Sequence, residues 1–174
     1  MKLRMIIWAA LALLAAPASA ERLSFDHRLS PPLKAVLDAG DPVMIDFNDS
    51  NPRYVTDMIA VRGRSASDWT EALLIVARTP DRRRVHTAPQ WTAELRAEAE
   101  RRCHSEFATI AEDAASITLQ RSSTACPADY PSTALYRVVA GSRSLFLLAV
   151  MARDTLSETS RQEWLAVLAS AHLE

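Results

Sequence analysis

The stretch "TALYRVVAGSRSLFLLAVMA", residues 133–152, decides the fold. It divides into two strand-like halves, 133–140 and 144–152, joined by "AGSR" with Gly141 in the turn. A connection this short predicts a hairpin, and hairpin strands are antiparallel. A second stretch, "DWTEALLIVAR" (68–78), is apolar on both alternating faces between Ala72 and Ala77. Such a strand is expected near the centre of its sheet, covered on both sides.

Three more strands are predicted outward from these two. Val43, Ile45 and Phe47 alternate with Met44, Asp46 and Asn48, Tyr54 to about Arg62 follows the "NDSNP" turn, and "ASITLQR" (115–121) precedes the hairpin. Three helices complete the pattern. "SPPLKAVLDAG" (30–40) offers Ser30 as N-cap, Pro31 at the first helical position and Gly40 as a stop. "TAPQ" (87–90) is a capping box. It opens a run in which Trp91, Leu95, Ala99, Cys103 and Phe107 recur every four residues, with Ile110 three further on. On a helix these residues fill a sector of about 160°. Arg102 and Glu106 project into that sector too, so the helix is expected to bend after Cys103 or to carry them as an edge ion pair. "SRQEW" (160–164) is a second capping box before a terminal helix with Trp164, Leu165, Val167, Leu168 and Ala171 on one stripe. The expected fold is α+β: a mainly antiparallel sheet of about six strands, with the long central helix and the C-terminal helix packed on it.

The first twenty residues predict an export signal. Lys2 and Arg4 precede an apolar run from Met5 to Ala16, and "APASA" supplies small residues before Glu21. Cleavage is expected between Ala20 and Glu21, leaving a single domain over 21–174. The apolar run is short for a membrane span, and no cysteine follows it to take a lipid anchor. The expected location is periplasmic or secreted. Without Lys2 and Arg4 the chain carries 18 basic and 21 acidic side chains. A mildly acidic surface is not suited to gripping nucleic acid.

Cofactor and metal motifs are sparse. Gly40, Gly63 and Gly141 are the only glycines, so a glycine-rich phosphate cradle is not expected. No G-x-S-x-G elbow occurs. His27, His86, His104 and His172 lack ligand spacing, and no metal or cofactor is expected. Asp46, Asn48, Ser50 and Asp57 echo a calcium loop, but Asn51 and Pro52 interrupt it, and an Asx-rich turn accounts for it.

"RRCHSEF" (101–107) places Cys103 beside His104. On a helix Cys103 points inward and His104 projects about 60° beyond the Phe107 edge, a poor position for a catalytic base. Cys126 is the second of two cysteines. An exported chain with two cysteines favours a Cys103–Cys126 bridge over two inert thiols or one reactive thiol. Such a bridge is worth about 3–4 kcal/mol by loop entropy. "DRRRVH" (81–86) makes Arg82, Arg83 and Arg84 a solvated loop or a small contact patch for an acidic partner or lipid headgroups. Trp69 reads as a core anchor. Glu71, expected on the same face, is the candidate for an unusual ionisable group, with His104 as a second.

"DWTE" on a strand, a cysteine-bearing helix, "CP" at 126–127, the 135–153 hairpin and a late Trp helix resemble a group of small exported bacterial proteins of unassigned function. Their architecture is similar to the PsbP/Mog1-like α/β/α sandwich. The resemblance spans roughly Asp41 to Leu173 and brings no catalytic residues. It implies an interaction module: PsbP-like proteins support assembly of a membrane complex, and Mog1-like proteins bind a GTPase. The expected function is a non-enzymatic binding or assembly module with a protein or envelope component as partner. The alternative is a small periplasmic hydrolase assembled from Glu71, His86 or His104. A cleft holding two or more of these groups would favour the enzyme.

Overall fold

The computed structural model describes residues 21–39, 44–46, 54–63, 68–79 and 85–174. The predicted export signal with Ala20, the Gly40 stop, the "NDSNP" turn and Arg82, Arg83 and Arg84 lie outside the described residues. Chain order is β1 (Leu23–Ser24), a 3-10 turn (His27–Leu29), α1 (Pro31–Asp38), β2 (Met44–Asp46), β3 (Tyr54–Gly63), β4 (Trp69–Arg78), α2 (Ala88–Arg102), β5 (His104–Glu112), β6 (Ser116–Thr124), β7 (Thr133–Ala140), β8 (Leu145–Ala152), α3 (Glu158–Ser170) and β9 (His172–Leu173).

Seven strands form one sheet in the order β2-β3-β4-β8-β7-β6-β5, and every neighbouring pair is antiparallel. The α+β expectation holds. The β7–β8 hairpin pairs Ala140 with Leu145 across its turn, and β8 then closes on β4 at the middle of the sheet. Between β4 and β5, α2 carries the chain to the far edge of the sheet. A separate clasp pairs β1 with β9, joining residues 23–24 to 172–173.

Helices lie on both faces. On one, Leu33 of α1 and Trp164, Val167 and Leu168 of α3 pack on Leu73, Leu135 and Leu148. On the other, Trp91 of α2 packs on Val76, Leu119, Val138 and Leu147. Alternation along each strand feeds both cores. Leu147 faces α2 and Leu148 faces α3, the two-sided burial expected of central strands. Two predicted caps hold. Ser30 Oγ accepts the Leu33 N–H. Thr87 Oγ1 accepts the Gln90 N–H, and the Gln90 side chain accepts the His86 N–H.

Three local expectations are corrected. The predicted helix through Ile110 ends at Arg102, with Cys103 as an extended C-cap residue, and 104–112 form edge strand β5. A spacing of four is even, so Cys103 and Phe107 share a face in a strand as well as in a helix. Ile110 was the discriminating residue. It sits in a β-bulge between Thr109 and Ala111 and is 40% exposed. The last helix begins at Glu158 with Ser157 as N-cap, three residues before the predicted cap. Ser160 lies inside the first turn, buried at 2% exposure. Trp69 and Glu71 do not share a face. The β3–β4 register shifts at Arg62 and Gly63. Trp69 packs with Met58 and Ala72, whereas Glu71 bonds to α3. Gly63 takes φ +119°, and a Cβ there would strike the Asp68 carbonyl.

Candidate functional site

The disulfide forms between Cys103 and Cys126, with Cα atoms 5.0 Å apart. Because Cys103 precedes β5 and Cys126 follows β6, it staples the open end of that hairpin, where His104 pairs with Thr124. Ser105 Oγ and Ser123 Oγ add a buried hydrogen bond of 2.7 Å beside it. This end of the hairpin is therefore closed by a covalent link and a buried hydrogen bond, although β5 is an edge strand.

Next to the staple is a partly enclosed pocket of about 210 Å3. Strand alternation points Gln120, Ser122 and Thr124 of β6 toward α3, and Thr133 of β7 lies opposite Ser122. Thr155, from the link before α3, and Arg161, from its second turn, complete the wall. Arg161 Nε donates to Gln120 Oε1 at 2.8 Å, and its NH1 lies 3.6 Å from Glu158. No hydrogen bond from its Nη2 to another described residue is present. Hydroxyls and the guanidinium make the wall rich in hydrogen-bond donors. No Asp, Glu, His, Lys or Cys lines it.

The residues singled out in the sequence fall elsewhere. Glu71 is tied to α3: its Oε2 accepts Trp164 Nε1–H at 2.8 Å and its Oε1 accepts Ser160 Oγ–H at 3.3 Å. Arg62 Nε lies 3.5 Å from the same carboxylate. The carboxylate thus satisfies an indole N–H that would otherwise be orphaned in the core, since Trp164 is 1% exposed. His104 is exposed on β5, its Nδ1 3.4 Å from Glu100 Oε1. It is cross-strand from Thr124, one strand outside the pocket, and Glu106 stands opposite Ser122 in the same way. Glu71 on β4 and His104 on β5 are four strand spacings apart, about 19 Å. His86 is exposed just before α2. None of these three lines the pocket beside the staple. No three His, Cys, Asp or Glu side chains there form a group able to hold a metal ion. No described helix is long and apolar enough to cross a membrane.

Glu21 has a role the sequence did not signal. Its carboxylate sits in the β7–β8 turn and accepts four hydrogen bonds: from Ser142 N at 2.7 Å, Ser142 Oγ at 2.6 Å, Arg143 N at 3.0 Å and Ser144 N at 2.8 Å. These bonds, the Ser142 side chain's foremost, hold its pKa below the usual glutamate value. Gly141 leaves room for the carboxylate, which a Cβ would meet. The partners are more than a hundred residues apart, so no local motif connects them. The pocket was closer to legible: "RSST" and "PST" flank the Cys126 loop, and Ser122 and Thr124 share one strand face. Neither family models nor curated proteins gave a match to the chain.

Proposed function

We propose that this chain is a non-enzymatic binding or assembly module of the cell envelope, exported by residues 1–20 and working in the periplasm. The observation that carries the reading is the composition of the enclosed pocket. Its donors can hold a ligand, but its wall supplies no group that exchanges protons near neutrality, as general acid–base catalysis requires. The hydrolase alternative needs Glu71, His86 or His104 to converge, and they lie apart. The disulfide supports an oxidising compartment. Helices on both faces of the sheet fit the architecture implied by the PsbP/Mog1-like resemblance, and with it the expectation of an interaction module.

The test is a photo-crosslinking residue placed at Ser122, and separately at exposed Val55 on β3, in intact producing cells. A discrete adduct from position 122 and none from position 55 is expected, together with a chain mass that begins at Glu21. Turnover of an ester, phosphate ester or glycoside that is lost in His104→Gln would overturn the reading.

A further inference from the structure

We propose that the pocket beneath α3 is a receptor for a phosphoryl group, carried by a small phosphate or displayed on an envelope lipid. The inference rests on the binding-module reading and names its ligand. Four observations lead to it. The wall offers donors from four separate chain segments: Ser122 and Thr124 on β6, Thr133 on β7, Thr155 on the link, and Arg161 on α3. Donors arriving from several directions suit a tetrahedral acceptor better than a planar carboxylate, which presents two oxygens in one plane.

The charge also fits. Arg161 is held by Gln120 through Nε rather than buried against a carboxylate, and no hydrogen bond to a described residue engages its Nη2. Its acidic neighbours are solvent-exposed: Glu158 is 74% exposed and 3.6 Å away, and Glu106 stands exposed across from Ser122, so both act on a ligand only through solvent-screened charge. Arg161 lies near the N-terminal end of α3, whose dipole favours an anion. The size is selective as well. At about 210 Å3 the pocket is below the usual range for drug-sized ligands, roughly 300–1,000 Å3, so it suits a group rather than a whole large molecule. The wall lacks aromatic faces and carboxylates, and so offers a sugar ring neither a stacking surface nor charged acceptors. This receptor is built from side-chain hydroxyls and one guanidinium, not from a glycine-rich turn.

The test uses the purified full chain and three probes: inorganic phosphate, phenyl phosphate, and phosphatidylcholine vesicles with or without phosphatidic acid. Calorimetry or phosphorus NMR reads the soluble probes, and flotation reads the vesicles. Saturable binding is expected to inorganic or phenyl phosphate, to phosphatidic acid vesicles, or to both, with acetate at least about tenfold weaker. Binding to soluble phosphate alone identifies a free phosphate ligand, and preference for phosphatidic acid vesicles identifies a headgroup. Arg161→Gln should weaken binding about tenfold or more, Ser122→Ala about fivefold, and Glu158→Gln should tighten it about threefold. The opposed effects of the two charge changes are not expected from a purely structural Arg161. Ser122 is exposed, so its variant should fold as wild type whatever Arg161→Gln does. Absence of binding to every phosphate probe, equal binding of acetate, or unchanged affinity in Ser122→Ala and Glu158→Gln would overturn the phosphoryl assignment while leaving the crosslinking result standing. Release of phosphate from phenyl phosphate would instead overturn the non-enzymatic reading.

Discussion

Replacing Glu71 by Leu is expected to destabilise the domain by about 3–4 kcal/mol. Trp164 is 1% exposed, and its indole N–H donates to Glu71 Oε2 at 2.8 Å. Losing a hydrogen bond to a charged acceptor costs about 1.5–3 kcal/mol, and the orphaned donor has no water to turn to. Ser160 Oγ, also buried, loses its acceptor at 3.3 Å, adding about 1 kcal/mol. Arg62 is 41% exposed, so its share is about 0–1 kcal/mol. Apolar packing by the new Leu offsets part of the total. Urea denaturation followed by tryptophan fluorescence should report the loss, and the thermal midpoint should fall by about 10 °C. Glu71→Gln keeps one acceptor oxygen and should cost roughly half as much. A double-mutant cycle with Trp164→Phe should return a coupling of about 1.5 kcal/mol or more. Stability within about 0.5 kcal/mol of wild type for Glu71→Leu would refute this account. Normal stability combined with lost crosslinking at position 122 would instead place Glu71 in the functional machinery.

Three further outcomes follow from the geometry. Cys103→Ser with Cys126→Ser should lower stability by about 3–4 kcal/mol, measured beside wild type with and without reductant; an unchanged midpoint would remove the staple from the energetics. Glu21→Gln should cost most at neutral pH. A carboxylate whose folded pKa is depressed contributes stability above its unfolded value, near 4.3, and loses it as pH falls through the lower folded pKa. The gap between wild type and Glu21→Gln in urea titrations should therefore narrow from pH 6 toward pH 3, and a gap independent of pH would contradict the turn-bound carboxylate. Tyr136 is partly buried against the α2-side core, and desolvation of its hydroxyl pushes the pKa up to about 12. Ultraviolet titration should show a late tyrosine ionisation that is missing in Tyr136→Phe. Its contribution to stability should be intact below pH 10 and lost as pH rises toward 12.

The hairpin at 133–152 and the doubly apolar strand at 68–78 were legible because each carries its own evidence: a tight turn in one, burial on both faces in the other. The segment 103–110 was not, because its apolar residues recur at an interval shared by helix and strand. What resolves it is pairing with β6, which a local window does not contain. The start of α3 was misplaced for a related reason. Ser157 and Ser160 are both plausible caps, and the choice falls to Ser157 because Glu71, far away in sequence, draws Ser160 into the core. The disulfide partners could be inferred by elimination, since only two cysteines exist. The pocket and the Glu21 turn are assembled from segments distant in the chain, so the "RSST" and "PST" runs hint at one wall of the pocket while nothing local ties them to Thr155 or Arg161.

The position of β4 at the heart of the sheet has a consequence for how the molecule is made. β4 ends at Arg78, but its inner edge is completed only by β8, which begins at Leu145. A chain synthesised from its N-terminus therefore carries an apolar, half-paired strand until nearly all of the sheet has emerged. Such long-range closure is slow and leaves surface open to aggregation. Assembly should be limited by the joining of two preformed halves, β2-β3-β4 and β5 to β8, and substitutions at Leu73 or Leu148 should slow refolding more than those at the β5–β6 edge.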